Sequence, residues 1–433
     1  MKKTLLFIAT LLASYVGMAQ ETYHPTAENL KAREQFQDEK FGIFLHWGLY
    51  SMMGTTEWIM TNRDINYKEY PKLAKTFYPS EFDADAWVKA IKAAGAKYIT
   101  ITTRHHDGFS LFKTATSTYN SVDGTPFKRD IIKEMADACQ RNGIKLHLYY
   151  SHLDWGREDY PVGRTGTGTG RPKEKANWAS YYKFMNTQLT ELLTNYGKVG
   201  AIWFDGWWDH DSDAKPFDWQ LEEQYALIHK LQPQCLIANN HHHTPFPGED
   251  IQIFERDLPG ENKAGLSGQS IGRLPLESCQ TINEHWGYNI TDTLYKSPKE
   301  LIQMLVRAAG KNANLLLNIG PEPGGALPEL ALNRLQAIGK WLNQYGETIY
   351  GTRGGIIAPH EWGVSTQRGN KLYIHILNCM DSSLFIPTGN HKIKSATVFG
   401  TNKRVNFTKT GNGITLNLDT IPTDIDYIVE LTL

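Results

Sequence analysis

The chain has 433 residues, which is enough for a barrel of roughly 250–330 residues and a smaller second domain. Hydrophobic residues make up 41% of it and charged residues 21%, values typical of a soluble protein with a large core. The formal net charge of −1 excludes a global field that would recruit nucleic acid or an anionic membrane. Aromatic residues are abundant, with 12 Trp, 21 Tyr and 17 Phe. Such rings belong either to the core or, beside polar clusters, to a site where they stack on sugars.

The first 19 residues have the pattern of an export signal. Lys2 and Lys3 precede an apolar stretch over residues 5–16, and Gly17 and Ala19 are small residues suited to a cleavage site. The stretch is too short to span a membrane, and no later segment resembles a span. We therefore expect an exported protein, periplasmic or extracellular, without stable membrane insertion.

From residue 28 to about residue 345, short apolar runs alternate with longer amphipathic segments, which is typical of repeated βα units. The predicted strands are 41–48, 96–106, 144–151, 200–206, 234–240, 250–255 and 314–320. The predicted helices are 86–94, 130–142, 178–196, 219–231, 298–309 and 329–345. The strand runs are apolar at both parities, as expected of parallel strands that are covered on both faces. These features predict an α/β fold with a (β/α)8-like TIM barrel over residues 20–347.

Polar side chains stand where the predicted strands end. They are His46, His105, His106, Asp107, Tyr149, Ser151, Asp205 and Glu255. In a (β/α)8 barrel the carboxyl ends of the strands converge on one site, so this placement indicates an enzyme.

After about residue 350 the segments become short and are separated by Gly, Asn, Asp and Pro turns, without helical periodicity. This pattern predicts a C-terminal antiparallel β-sandwich over residues 348–433. Earlier in the chain, the Gly/Thr-rich segment 163–178 is predicted to be a loop on the active-site face.

The four cysteines are widely spaced and form no C-x-x-C pair, which argues against a zinc ribbon or a redox motif. A core of this size needs no disulfides, so we expect mostly buried free thiols.

Two strand-end acids are candidates for glycosidase chemistry. Asp205 lies in AIWFDGWWD between tryptophans, and Glu255 ends another predicted strand. Retaining glycosidases need two carboxyl groups about 5–5.5 Å apart, one as nucleophile and one as acid/base. A turn or helix-capping role for Asp205 and a surface ion pair for Glu255, which Arg256 and Asp257 follow, are the alternatives.

The histidines raise the question of a metal site, because imidazole is a common zinc ligand. Three adjacent histidines at 241–243 on an extended chain point to alternate sides, so they cannot all reach one ion. Neutral imidazoles, with one donor and one acceptor, suit sugar hydroxyls well. We therefore expect sugar binding, with no metal and no cofactor.

The motifs HWGLYS, GTTEW, RHHDGFSLF, YYSHLDW, WFDG, WGYN and NLLLNIGP occur in this order within residues 28–345. In this series the chain resembles the α-L-fucosidases of glycoside hydrolase family 29. The resemblance implies a retaining exo-α-L-fucosidase that acts on fucosylated glycans, with a barrel-like catalytic domain and a C-terminal β-sandwich.

The resemblance also assigns residues. Asp205 in WFDG matches the nucleophile of the family. Other residues match positions that bind fucose, namely His46, Glu57, Trp58, His105, His106, Tyr149, Trp203 and, against the sugar's methyl group, Trp286. His243 falls where some members have an arginine that contacts the sugar.

The acid/base is the position that varies most within the family. DIQIFE aligns with a segment that ends in the acid/base of some members and selects Glu255. LPLESC resembles the W-E-x-C motif of others and makes Glu277 the second candidate, ahead of Glu249, Glu261 and Glu284. We expect Asp205 to be ionised, and the pKa of Glu255 to be raised by burial and nearby negative charge.

Three alternatives stay open at this stage. They are a fucose-binding protein without catalysis, a glycosidase for another sugar, and a metal-dependent hydrolase. The sequence indicates neither the linkage that is cleaved nor the oligomeric state.

Overall fold

The computed structural model describes residues 23–401 and 403–433, so the predicted export signal lies outside the described residues. Eight strands form the central sheet: β1 (Phe41–Leu45), β2 (Tyr98–Arg104), β3 (Lys145–Ser151), β4 (Ala201–Asp205), β5 (Leu236–Asn240), β6 (Gln252–Glu255), β7 (Leu276–Thr281) and β8 (Ala313–Ile319). Their order is β5-β4-β3-β2-β1-β8-β7-β6. All of their pairings are parallel. A parallel bridge from Ala238 to Ile251 joins the two edges and nearly closes a barrel.

Eight helices pack against the barrel or its ends in the described part of the chain. They are α1 (Ala27–Glu39), the short α2 (Ile59–Asn62), α3 (Ala84–Ala93), α4 (Ile131–Asn142), α5 (Trp178–Asn195), α6 (Leu221–Leu231), α7 (Pro298–Gly310) and α8 (Glu329–Tyr345). Side-chain caps start several of them; Asp130 accepts the backbone N–H of Lys133, and Ser297 forms a reciprocal capping box with Glu300. No helix lies between β5 and β6 or between β6 and β7, where residues 241–251 and 256–275 form loops.

A second, smaller unit follows the barrel. Its strands are β9 (Arg353–Gly354), β10 (Gly363–Arg368), β11 (Lys371–Ile376), β12 (Ser383–Ile386), β13 (Ser395–Val398), β14 (Asn406–Thr410), β15 (Gly413–Asn417) and β16 (Tyr427–Thr432). They form a five-stranded sheet, β13-β16-β11-β10-β9, and a three-stranded sheet, β12-β15-β14, both antiparallel. Leu372 and Leu431 of one sheet share a buried cluster with Ile386 and Leu416 of the other, which makes the unit a sandwich. The predicted fold class is thereby confirmed.

Besides the short α2, the sequence patterns overlooked two elements, β7 and α1. Strand β7 has the sequence LESCQT, whose polar residues do not look like a strand, yet all six are buried in the barrel wall. Helix α1 is rich in charged residues and has little apolar periodicity, and Asn29 and Phe36 are its buried residues. The expected boundary between residues 347 and 348 falls between α8 and β9.

The remaining general expectations concern thiols and membranes. All four cysteines are free thiols; Cys139, Cys235 and Cys279 are buried and Cys379 is half-buried, as predicted. Within the residues that the structure describes, no helix is long and apolar enough to cross a membrane.

Candidate active site

A cavity of about 190 Å3 opens at the carboxyl ends of the barrel strands. All of the predicted site residues except Tyr149 and His243 line it, namely His46, Glu57, Trp58, His105, His106, Trp203, Asp205, Glu255 and Trp286. Other lining residues include Phe44, Arg164, Trp208, Asn240, His242, Leu266 and Cys279. Arg164 belongs to the Gly/Thr-rich segment, which thus reaches the active-site face as expected.

Asp205 lies at the end of β4, and its residue surface is 9% exposed. Its Oδ1 accepts hydrogen bonds from the backbone N–H of Gly206 at 2.8 Å and from the indole N–H of Trp208 at 3.0 Å. Its Oδ2 accepts the hydroxyl of Tyr149 at 3.0 Å. Among the described residues no lysine or arginine pairs with this carboxyl group. Among the described residues, Asp205 is therefore not held in a structural ion pair with a lysine or arginine. Such a pair would have argued against a catalytic role.

Glu255 lies on the neighbouring wall of the cavity, at the end of β6. The side-chain amide of Asn240 links the two acids. Its Nδ2 lies 2.8 Å from Oε2 of Glu255 and 3.5 Å from Oδ1 of Asp205. These two carboxyl oxygens are therefore no further apart than the sum of those two distances.

Histidine 242 makes the second contact to Glu255. Its Nε2 lies 2.9 Å from Oε2 of the carboxyl group. The residue has a positive φ of 66°, in the left-handed region that side chains other than glycine rarely adopt. Strained backbone of this kind is common at functional sites.

The pKa values of Asp205 and Glu255 are shifted in opposite directions. Burial, followed by the negative charge of Glu255, raises the pKa of Asp205 to about 6. Burial also raises the pKa of Glu255, but hydrogen bonds from His242 and Asn240 and the charge of His242 outweigh it and lower the pKa below its ordinary value. The expectation of a raised pKa at Glu255 is thus wrong, because the sequence did not show that His242 contacts this carboxyl group.

His46 and His106 are neutral hydrogen-bond acceptors toward the cavity. Burial is the main cause that lowers the pKa of His46 to about 4 and the pKa of His106 well below its ordinary value. His46 Nδ1 lies 2.7 Å from Oδ1 of Asn318, whose Nδ2 donates to the backbone oxygen of Trp286. The amide orientation therefore makes Nδ1 the protonated nitrogen and leaves Nε2 as an acceptor.

The same argument applies to His106. Its Nδ1 lies 2.7 Å from Oγ of Ser151, and this hydroxyl already donates to the backbone oxygen of Leu153. Nδ1 thus carries the proton, and Nε2 lies 3.5 Å from Oδ2 of Asp205 as a second acceptor. Both of these atoms are acceptors, so neither satisfies the other and both are available to a donor from the cavity.

His105 and the aromatic rings complete the wall. The pKa of His105 is also lowered, mainly by burial, and its Nδ1 is buried without a hydrogen-bond partner among the described residues. Its ring stacks on Tyr149, with centroids 5.5 Å apart. Trp58 stacks on Trp208 at 5.5 Å, and Trp286 lies 5.3 Å from the ring of His46.

A buried ion pair holds the turn that carries His105 and His106. The guanidinium group of Arg104 pairs with Asp154, both side chains being inaccessible to solvent, and also donates to the backbone oxygen of Ser151. Gly108 closes the turn at φ 78°, and a Cβ there would lie 2.7 Å from the carboxyl group of Asp154. The turn therefore requires glycine at this position.

Glu57 links two loops at the cavity rim. Its Oε2 accepts the backbone N–H of Gly287 at 2.9 Å and the hydroxyl of Thr56 at 3.2 Å. The loop after β1 is thereby joined to the loop after β7 that carries Trp286.

The alternative acids lie elsewhere. Glu277 is 1% exposed and lies inside the barrel, hydrogen-bonded to Tyr98 and Trp203 and outside the cavity lining. Glu249 is buried against His241 and Tyr225, and Glu261 pairs with Lys263 and Lys311. Glu284 is exposed.

His243 does not reach the cavity. It is exposed, with its ring 5.1 Å from that of Trp207, whereas His242 lines the pocket. The parity of β5 could have shown this, because Leu236 and Ala238 face the barrel interior and the same alternation leads to Asn240 and His242. Tyr149 likewise acts from behind the lining, through its bond to Asp205.

The histidine cluster does not converge on one point. His241 contacts Glu249, His242 contacts Glu255, and His243 packs on Trp207. Over residues 23–401 and 403–433, no group of three or more His, Cys, Asp or Glu side chains is arranged to hold a metal ion.

Two acids that share a pocket at the carboxyl end of a (β/α)8-like barrel are the arrangement typical of glycoside hydrolases. Residues 10–347 match the profile of the family described as alpha-L-fucosidase, and the chain belongs to that family.

Individual relatives agree with this assignment. Alpha-L-fucosidase isoenzyme 1 from Paenibacillus thiaminolyticus shares 35% identity at a TM-score of 0.82, over 94% of this chain and 99% of that one. The plasma alpha-L-fucosidase of Rattus norvegicus is 30% identical, over 85% of this chain and 83% of the relative. A GH29 alpha-L-fucosidase from Bacteroides thetaiotaomicron, a trapped covalent intermediate in complex with 2-fluoro-fucosyl fluoride, shares 27% identity at a TM-score of 0.81, over 95% of this chain and 97% of that one.

Proposed function

We propose that the protein is a retaining exo-α-L-fucosidase, with Asp205 as the nucleophile and Glu255 as the acid/base. The contact of one amide nitrogen with both acids carries this proposal, at 3.5 Å from Asp205 and 2.8 Å from Glu255. The two oxygens that this nitrogen contacts are therefore closer together than about 6.5 Å, the lower limit of the carboxyl separation that inverting enzymes need to place a water. The covalent intermediate of the Bacteroides relative supports the same double-displacement route.

The cavity suits a single deoxy sugar at the end of a glycan. Its volume of about 190 Å3 is smaller than that of pockets for drug-sized ligands, roughly 300–1,000 Å3. Neutral imidazoles of His46, His105 and His106 offer acceptors to several hydroxyl groups. Trp286 and Phe44 supply an apolar surface against which the methyl group of fucose can pack.

In the first step, a carboxylate oxygen of Asp205 attacks the anomeric carbon while Glu255 protonates the leaving oxygen. The donors Trp208, Gly206 and Tyr149 fix the orientation of the Asp205 carboxyl group before the attack. In the second step, Glu255 takes a proton from water, which attacks the fucosyl ester and releases L-fucose with retained configuration.

The reaction requires one proton on the pair of acids, and it must lie on Glu255 when the glycosidic bond breaks. Because the acids interact, their two pKa values belong to the pair as a whole. A glycosidic oxygen beside Glu255 offers an acceptor for that proton in the bound complex.

The first test is Asp205→Ala on an aryl α-L-fucoside. Loss of the nucleophile should lower kcat by several orders of magnitude while the circular dichroism spectrum stays that of the wild type. Glu284→Ala, which removes an exposed acid, is the matched control and should retain activity. NMR of the first product formed by the wild type should show the α-anomer of fucose; the β-anomer would refute retention.

The second test assigns the acid/base. On a substrate with an activated leaving group, azide should restore turnover to Glu255→Ala and yield a fucosyl azide. Rescue of Glu277→Ala instead, with none at Glu255, would refute the assignment.

We also propose that the protein is exported to the periplasm or the medium, which the pattern of residues 1–19 supports. Its substrate there would be fucosylated glycans. Mass spectrometry of the protein from its native cell should find a mature N-terminus at Gln20 or Glu21. Recovery of the uncleaved chain would refute export.

A further inference from the structure

A carboxyl group without a described cationic partner lies beneath the pocket wall. Glu277 is 1% exposed, and its two hydrogen bonds run to residues of β2 and β4. These strands are not neighbours of β7 in the sheet, so both bonds cross the barrel interior. An acid in this position is expensive to ionise.

The two partners of Glu277 have different chemistry. Oε1 accepts the indole N–H of Trp203 at 2.9 Å, and an indole N–H can only donate. Oε2 lies 2.7 Å from the hydroxyl of Tyr98, which can donate or accept. A proton on Glu277 is therefore accommodated on the Tyr98 side, and Trp203 keeps its acceptor in either protonation state.

Trp203 connects this carboxyl group to the site. Its indole lines the cavity and packs edge-on against Phe44, with centroids 5.1 Å apart. It also stacks on Tyr149 at 5.6 Å and 22°, and the hydroxyl of Tyr149 donates to Oδ2 of Asp205. A rotation of the indole would thus move both the sugar-binding wall and a donor to the nucleophile.

We propose that Glu277 is a positioning residue that fixes the Trp203 indole in the wall of the fucose pocket. It acts through the single acceptor that it gives to the indole N–H, and it does not touch the sugar. The inference rests on the proposed function, because that function makes Trp203 a fucose contact.

Two variants separate this role from others. Glu277→Gln keeps an oxygen for the indole and places an amide N–H toward Tyr98, so it mimics the protonated acid. We expect it to bind L-fucose, measured by calorimetry, within about threefold of the wild type. Glu277→Leu has similar volume but leaves the indole N–H unpaired, and we expect Kd and KM to rise about tenfold or more, with a smaller change in kcat.

A double-mutant cycle identifies the atom through which Glu277 acts. Trp203→Phe removes the indole N–H, so Glu277→Leu should weaken fucose binding far less in that background. An equal loss in both backgrounds would overturn the proposal, because a general structural role does not depend on that N–H. Thermal unfolding and circular dichroism identify variants that fail to fold, and for these the Glu277→Gln result decides.

The outcomes distinguish this inference from the proposed function. A loss of kcat by orders of magnitude in Glu277→Gln, with azide rescue of Glu277→Ala, would overturn the positioning role and make Glu277 the acid/base. Failure of the wild type to bind L-fucose would refute the proposed function itself. Normal binding by Glu277→Leu would refute only the positioning role.

Discussion

The buried carboxyl group of Glu277 predicts a specific dependence of stability on pH. Burial raises its pKa from the ordinary 4.5 to about 7, although Tyr98 and Trp203 both donate to it. The perturbation is Glu277→Gln, which keeps shape and hydrogen bonds but cannot ionise. The comparison with the wild type isolates the titration of one group, because all other groups titrate in both proteins.

The sign follows from the direction of the shift. Below pH 4.5 the carboxyl group is protonated in both the folded and the unfolded chain, so it contributes no pH dependence. Between pH 4.5 and about 7 the unfolded chain ionises while the folded chain keeps its proton, and the wild type loses stability relative to the variant. At about 1.4 kcal/mol per pKa unit, the loss levels off at roughly 3–4 kcal/mol above pH 7.

The assay is urea unfolding of both proteins, followed by tryptophan fluorescence at pH 5, 6, 7 and 8. The difference in the free energy of unfolding, variant minus wild type, should increase by roughly 2–3 kcal/mol over this range, because about 1 kcal/mol is already lost at pH 5. A difference that is constant with pH would refute the reasoning, since it would mean that Glu277 titrates alike in both states. A difference that falls with rising pH would mean that a cationic partner stabilises the carboxylate.

Two further predictions concern His242, which contacts Glu255, and Asp154, which pairs with Arg104. His242→Phe removes the contact that lowers the pKa of Glu255, so the alkaline limit of kcat/KM should move to higher pH; an unchanged limit or a move to lower pH would contradict the assigned role. Asp154→Asn leaves the charge of Arg104 buried without its partner and should lower the free energy of unfolding by roughly 3–5 kcal/mol. Asp85→Asn, which breaks an exposed pair with Arg141, is the control and should change thermal unfolding far less.

Much of the fold was predictable because the barrel repeats one physical pattern. Strands covered on both faces read as continuous apolar runs, and residues such as Asp205 break the run where the strand ends. Strand β7 escaped notice because Glu277 is a polar residue that faces the barrel interior, where cross-barrel donors satisfy it. The local sequence around Glu277 does not show hydrogen-bond partners that lie on other strands.

The site was predictable to a similar degree. Strand-end placement predicted that Asp205 and Glu255 share one cavity, as they do. The pKa order of the pair depends on Asn240, the last residue of β5, and on His242 in the loop that follows. The sequence does not show which of these loop side chains faces the cavity, since His242 and His243 are adjacent and only His242 lines it.

The strands that carry the two acids, Asp205 and Glu255, differ in the secondary structure that flanks them. Asp205 stands on β4, between two paired strands and next in sequence to helices α5 and α6, whereas Glu255 stands on β6 between two stretches without helices. Insertions and deletions are tolerated in exposed loops but not in packed helices. Under the proposed roles of the two acids, loop insertions and deletions remodel the side of the cavity that meets the departing glycan, while the position of bond formation to fucose stays fixed. Diversity in the glycan that members of this family release from fucose is expected to accumulate on that flank.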